Sequence, residues 1–304
     1  MSRFVPRWAH RDAALWRHLL WAGVQYGPDA WLRYSPPAIG LGFWAALGGS
    51  RAAVLQNLRL LRGAPDQGIV GDDPLGAARD VVLSGKVFAN FASCLADTFL
   101  VAAGRGYVAQ VRSANQGADF FAAQAAGKGV ILATAHTAGW DVAGPMLTTL
   151  QSAEIIVVMG REEDARARAL HDRARHRAGV RVVHAGDDAL AALPLLHHLR
   201  RQGIVAMKMD RTVPGMRCRD VRLFGRPWKI PEGILTLAAV SGAPILPVFT
   251  RRLGFLEYEY VSAPALHLPR RPSPGELDAT AQTLADRLSD FARDNPDQWF
   301  SWDG

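Results

Sequence analysis

The sequence predicts an α/β fold: a largely parallel central sheet flanked by helices, with a helical N-terminal portion. Three observations predict it. From residue 129 onward, short apolar runs recur after Gly or a turn, as strands buried on both faces of a sheet do. Stretches of helical period and crossover length lie between those runs, and strands alternating with helices imply parallel pairing. The first third instead carries the helical period, broken by clusters of Gly and Pro.

In chain order, helices are expected over 11–25, 51–62 and 80–101, with the clusters at 34–42 and 63–76 as breaks. Val130-Ile131-Leu132-Ala133-Thr134 is the first buried strand, and Ile155-Ile156-Val157-Val158-Met159 the second. Strands at 180–183, 204–207 and 245–249 follow, and 255–261 alternates as an edge strand does. Crossover helices are expected over 142–150, 162–178, 187–201 and 233–241, and a final amphipathic helix over 277–293.

Composition narrows the classes of partner. Hydrophobic residues make up 49% and charged residues 21%, a globular mixture able to bury a sizeable core. The formal net charge of +7 suits an anionic partner: nucleic acid, acidic lipid head groups or an acidic carrier protein. Arg166, Arg168, Arg173, Arg175 and Arg177 alternate with Asp and Ala as on a solvated helix. Without an aromatic-studded strand motif, zinc spacing or helix-turn-helix pattern, nucleic acid is not the expected partner.

Cys94 and Cys218 lie far apart, which argues against a disulfide framework and a structural zinc, and a reducing cytoplasm is the natural setting. His171 with His176 and His197 with His198 lack metal-ligand spacing, so no metal is expected. Gly40-x-Gly42-x-x-Ala45 follows Pro36-Pro37 in place of a strand, so it is no dinucleotide fingerprint.

Residues 1–8 lack the apolar core of a secretory signal, and the best apolar run, 38–49, falls short of the ~20 residues a spanning helix needs. Residues 1–50 are therefore expected to be amphipathic helices that lie on a membrane, ahead of an α/β domain over 51–304. Trp8, Trp16, Trp21, Trp31 and Trp44 mixed with Arg7, Arg11, Arg17 and Arg33 suit the interface of water and acyl chains. Tryptophans that pack on the body of the domain give the same pattern.

In an open parallel sheet, ligands bind beyond the carboxyl ends of the strands. His136 follows the first buried strand by two residues, Arg161 follows the second, and Asp210 and Arg211 follow Met207 on a later one. Four reactive side chains thus arrive at one edge of the sheet. Asp141 lies five residues after His136. On one continuous helix the two would stand roughly 140° apart. A turn between strand and helix, for which Gly139 supplies the freedom, would let Asp141 accept a hydrogen bond from the imidazole. An isolated pair at this spacing is better explained by a loop histidine and a helix-capping aspartate.

The segment Ala133-Thr134-Ala135-His136-Thr137-Ala138-Gly139-Trp140-Asp141 resembles the signature of the lysophospholipid acyltransferase superfamily, a His and an acid separated by four residues. Trp before the acid resembles the branch of the lipid A biosynthesis acyltransferases and the phosphatidylinositol mannoside acyltransferases. Arg161 is similar in position to the arginine of the second block, and Asp210 to the acid ending a later strand. Phe224-Gly225-Arg226-Pro227, then Pro231-Glu232-Gly233, Gly242-Ala243-Pro244 and Arg251, resembles the long third block, and Pro296-Asp297-Gln298-Trp299 its C-terminal signature. Asp at position 141 is closer to the mannoside enzymes, because the lipid A enzymes usually have Glu there. The spanning N-terminal anchor common among the lipid A enzymes is not found in the first 50 residues.

The resemblance implies transfer of a fatty acyl group from a thioester, acyl carrier protein or coenzyme A, to a hydroxyl of a membrane glycolipid or phospholipid. It implies peripheral attachment at the cytoplasmic face of the bacterial inner membrane, with no further cofactor. His136 would be general base and Asp141 its orienting acid. Arg161 would bind a phosphate or assist at the oxyanion, with a salt bridge to Glu162 or Asp210 as the duller reading. Asp210 would hold Arg161 or Arg211 in place. Gly225 and Pro227 would shape a loop over the acyl site, and Arg226 would contact an anionic head group. No Gly-x-Ser-x-Gly elbow offers a covalent serine. Acyl transfer to a secondary metabolite, a thioesterase, and a catalytically silent carrier- or membrane-binding protein are the alternatives.

Overall fold

The computed structural model describes residues 14–63, 73–142, 154–159, 180–184, 192–212 and 215–302. Four helices come first: α1 (Ala14–Tyr26), α2 (Asp29–Ala46), α3 (Gly48–Leu61) and α4 (Pro74–Ala102). Three of them stand where the helical period put them. The fourth, α2, runs straight through the segment expected to break, with Pro36 and Pro37 inside it. Those prolines remove two backbone donors, so the helix is held by packing and not by propensity. Its backbone lies directly on α4: a Cβ at Gly40 would sit 2.5 Å from the Phe88 carbonyl oxygen. The indole of Trp44 also donates to Ser84 Oγ at 2.8 Å.

The boundary expected at residue 50 falls within α3. Of the tryptophans expected at a membrane interface or packed on the domain, Trp44 is half-buried against α4 whereas Trp21 and Trp31 are exposed, and Trp8 lies outside the described residues. Among the described residues no single helix is long and apolar enough to cross a membrane; α2 and α3 meet the test of length and composition only as a pair, bent by 98°.

The sheet is built from β1 (Gln110–Ser113), β2 (Val130–Thr134), β3 (Ile155–Met159), β4 (Val180–His184), β5 (Ile204–Lys208), β8 (Ile245–Gly254) and β9 (Glu257–Ser262). Their order is β1-β9-β8-β2-β5-β3-β4, and all neighbours are parallel except β8 and β9. The segment expected as an edge strand, β9, is interior because the unanticipated β1 pairs along its outer side. A short helix α5 (Ala118–Gln124) follows β1, and an antiparallel hairpin of β6 (Cys218–Leu223) and β7 (Arg226–Pro231) stands apart from the sheet.

Helices α6 (Leu193–Arg200), α7 (Gly233–Ser241) and α8 (Pro274–Asp294) complete the described elements. The crossover helices expected over 162–178 and most of 142–150, together with 187–191, lie outside the described residues. Residue 274 begins α8 because Ser273 and Glu276 form a capping box around Pro274.

Every residue of β2 is buried, and alternate residues feed two cores. Val130 and Leu132 join the cluster that contains Leu58, Phe88, Leu100 and Tyr258. Ile131 and Ala133 join the cluster of Leu235, Leu284 and Phe291. The first four helices therefore cover one face, and α7 and α8 the other.

Candidate active site

The carboxyl end of β2 is where the side chains of interest converge. The strand ends at Thr134, whose carbonyl accepts from Met209 N–H at 2.8 Å, so β2 and β5 stay in register up to the loops that follow. Those loops deliver His136 and Asp210. The His136 backbone N–H donates to Asp210 Oδ2 at 2.9 Å, and its Nδ1 meets Oδ1 at 2.8 Å. From the far end of the chain, Trp299 Nε1 donates to Oδ2 at 2.9 Å. Three donors thus converge on a carboxylate that is 2% exposed.

This constellation has a defined protonation pattern. Burial alone would push the Asp210 carboxyl up, but attraction to His136 and the hydrogen bonds from His136 and Trp299 outweigh it and hold it well below the ordinary carboxylate range. Burial pushes the His136 imidazole down, Lys208 lowers it further, and Asp210 recovers only part of the difference. A neutral imidazole facing an ionised carboxylate carries its hydrogen on Nδ1. Nε2 is then the basic nitrogen, on a side chain that keeps 26% of its surface exposed.

The loop carrying His136 is tied down on every side. The Phe300 N–H donates to the His136 carbonyl and the Ala138 N–H to the Gln298 carbonyl, each at 2.8 Å. Thr137 Oγ1 lies 3.0 Å from Thr250 Oγ1 of β8 and accepts from the Thr250 N–H at 3.1 Å. Gly139 sits at a φ of 79°, and its carbonyl accepts from the Val142 N–H. The expected turn between strand and helix is therefore present, with the half-buried Asp141 just beyond it.

The expected residues are not all brought together. Asp210, expected to hold Arg161 or Arg211, takes the imidazole Nδ1, while Asp141 is the acid expected to accept from one imidazole nitrogen. The reason is geometric: β2 and β5 are adjacent parallel strands, so residues just past their ends face each other. Arg211 Nη2 donates to the Phe300 carbonyl at 2.9 Å, and its buried Nε has no partner among the described residues. Arg161 lies outside the described residues.

Phe224 and Gly225, both at positive φ, form the two-residue turn of the β6–β7 hairpin, with Gly225 exposed and Arg226 half-buried beside it. The hairpin reaches the site through Phe224 and Trp228, whose rings lie 5.6 and 6.2 Å from that of Trp299. In the sequence Trp299 stands out only as part of the terminal Pro296-Asp297-Gln298-Trp299 pattern; the signal it offers is an indole N–H, which needs an acceptor when buried.

A cavity of about 380 Å³ opens between α1, α2 and α4. Phe88, Ala92, Ala96 and Leu100 line it at a spacing of four along α4, with Leu32 facing them and Trp302 closing one side. Phe300 stacks on Trp302 with centroids 6.4 Å apart, so the aromatic wall of the cavity is continuous with the segment that bonds His136.

Residues 19–302 match the family model of the bacterial lipid A biosynthesis acyltransferases. The chain belongs to that family. Every residue of the His136–Asp210–Trp299 constellation lies inside the matched stretch. Among curated proteins, the phosphatidylinositol mannoside acyltransferases of Mycobacterium tuberculosis strains CDC 1551 and H37Rv are each 30% identical over 186 residues, 59% of this chain and 54% of theirs. The chain thus spans about half the length of the curated relatives it matches.

Proposed function

We propose that this chain transfers a fatty acyl group from a thioester, acyl-coenzyme A or acyl carrier protein, to a hydroxyl of a membrane glycolipid or phospholipid, with His136 as general base. The observation that carries this reading is a half-buried imidazole whose Nδ1 is fixed by the buried Asp210, which leaves Nε2 as its basic nitrogen. Family membership and the mannoside acyltransferase relatives support a lipid-like acceptor.

In the proposed step, Nε2 removes the proton of the acceptor hydroxyl as its oxygen attacks the thioester carbonyl. The tetrahedral oxyanion collapses, the C–S bond breaks, and the thiolate leaves with the proton that the imidazolium returns. Arg211 and Lys208 add positive charge near the imidazole, where it stabilises the oxyanion and the anionic parts of the donor. The remaining assigned residues, Asp141, Arg161, Gly225 and Arg226, belong to this proposal as orienting and substrate-binding groups.

The apolar cavity is suited to the alkyl chain: its lining is aliphatic and aromatic, and its volume is within the range of small-molecule sites. Trp21, Tyr26, Trp31, Tyr34, Ile39 and Leu41 are exposed on α1 and α2, and of these Trp31 and Ile39 line the cavity. An exposed aromatic and aliphatic surface of this kind supports peripheral attachment to the inner membrane, where both chain and acceptor reside.

The test is direct. The protein is incubated with labelled palmitoyl-coenzyme A or palmitoyl-acyl carrier protein and vesicles of bacterial lipid extract, and the lipids are separated and weighed by mass spectrometry. The expected product is an alkali-labile lipid heavier than its precursor by one acyl group. No labelled lipid with either donor overturns the proposal. Release of free acid regardless of acceptor would instead favour a thioesterase.

Chain selection offers a second expectation. Ala96 is 4% exposed and lines the cavity, so Ala96→Phe fills part of it. In competition assays the variant is expected to favour shorter acyl donors at least several-fold. An unchanged chain-length profile would remove the cavity from the acyl site. Overpacking at such a site costs about 1–3 kcal/mol, so the variant is checked for folding first.

A further inference from the structure

The turn that separates His136 from Asp141 rests on a buried tyrosine. A Cβ built on Gly139 would lie 2.1 Å from both Cδ1 and Cε1 of Tyr258, so the Cδ1–Cε1 side of that ring is against Gly139. Glycine is thus required twice at this position, for its φ of 79° and for the ring beneath it. Tyr258 is 1% exposed on β9, and its hydroxyl donates to Asp97 Oδ2 at 2.5 Å. The same oxygen accepts from Arg252 Nε at 3.0 Å and is approached by the Leu256 N–H at 3.4 Å.

Asp97 is 2% exposed and belongs to α4. Cys94, one turn earlier on that helix, is buried against the same groups. Burial pushes its thiol up to about 12, and the Tyr258 hydroxyl and the Gly139 N–H are among the groups acting on it. The acyl cavity is lined by Phe88, Ala92 and Ala96 of the same helix. The ring thus joins the helix that lines the cavity to the turn that sets the spacing of the histidine and the second acid.

We propose that Tyr258, anchored through its hydroxyl by Asp97 and Arg252, is a positioning residue for acyl transfer: its ring is the floor on which the Gly139 turn is set, and it fixes where Asp141 stands relative to His136. It touches no reacting atom. A ring held by a buried ion pair tolerates little displacement, and a misplacement of about 1 Å at a reacting centre can cost about 10²-fold in rate. The proposal rests on His136 acting as general base.

The experiment measures kcat and KM for palmitoyl-coenzyme A, with lipid-extract vesicles as acceptor, on the folded full-length chain. Tyr258→Phe keeps the ring but loses its hydroxyl anchor, and is expected to lower kcat by less than Tyr258→Leu does. Tyr258→Leu removes the floor and is expected to lower kcat by about 10²-fold at unchanged KM, because the cavity lining is untouched. A merely structural role would lower the melting temperature and leave kcat per folded molecule unchanged.

Gly139→Ala drives a methyl group into the ring and carries the same test if Tyr258→Leu does not fold; its kcat is expected to fall and to recover partly in the Gly139→Ala/Tyr258→Leu double variant. A folded Tyr258→Leu or Gly139→Ala enzyme with wild-type kcat overturns the proposal. His136→Ala is run alongside: turnover that survives it sinks the base assignment, whereas turnover lost there and intact in Tyr258→Leu sinks only the positioning role.

Discussion

Replacing His136 by alanine is expected to lower the turnover number by about 10²–10⁴-fold, the usual worth of a positioned general base, while donor binding persists. The alkyl cavity and Arg211 are untouched by the substitution, so KM for the thioester should stay within a few-fold of wild type. A loss confined to kcat identifies an interaction made in the transition state. A chain that keeps its turnover without the imidazole would not be using His136 as base.

The pH dependence follows from the same residue. Burial and Lys208 hold the imidazole below its ordinary 6.5, so the acidic limb of the rate profile should lie below that value. Stability should move in the same direction. A histidine whose folded value is depressed contributes stability that is full above the unfolded value and lost as pH falls through the folded one. The depressed Asp210 carboxyl adds a second loss at more acid pH. Melting temperatures taken from neutral toward acid pH should therefore fall, and a flat profile would contradict both shifts.

Asp210 should be the second most sensitive position. Asp210→Ala strands three buried donors, two from His136 and one from Trp299. Leaving a buried donor unsatisfied typically costs about 1–3 kcal/mol, and the melting temperature should drop accordingly. Asp210→Asn is the more informative variant. Its amide retains one acceptor oxygen but turns an NH₂ toward the site, which favours the imidazole tautomer with hydrogen on Nε2. An imidazole so fixed is not a base toward the acceptor, and a wrong tautomer in this kind of pair can cost about 10⁴-fold. Asp141→Asn provides the control: if it abolishes turnover and Asp210→Asn does not, Asp141 is the acid that orients the imidazole.

The parallel sheet was legible because β2, β3 and β5 are short apolar runs that only a strand buried on both faces accommodates. The position of His136 was legible for the same reason, since a strand end can be counted. Its partner was not. Asp210 lies 74 residues away, and only the pairing of β2 with β5 brings the two carboxyl ends together. Trp299 is more remote still, carried back by a segment with no element of its own. The continuity of α2 was hidden by Pro36 and Pro37, which argue for a break unless the contact at Gly40 is known. The β6–β7 hairpin was hidden because its turn begins at Phe224, a residue that rarely adopts positive φ.

The spread of the site along the chain also has a kinetic meaning. Within the helical layer, α2 closes on α4 over a shorter distance, as Trp44 and Ser84 are 40 residues apart. His136, Asp210 and Trp299 require closures of 74 and 89 residues, and β1 meets a strand whose bonded side chains lie 147 residues on. Contacts of high sequence separation are rewarded only after their loop entropy has been met, and so form slowly. During folding, helical content and apolar surface should accumulate before competence to turn over a thioester. If the proposed function holds, a half-assembled chain would present its apolar helical surface before it could consume a donor.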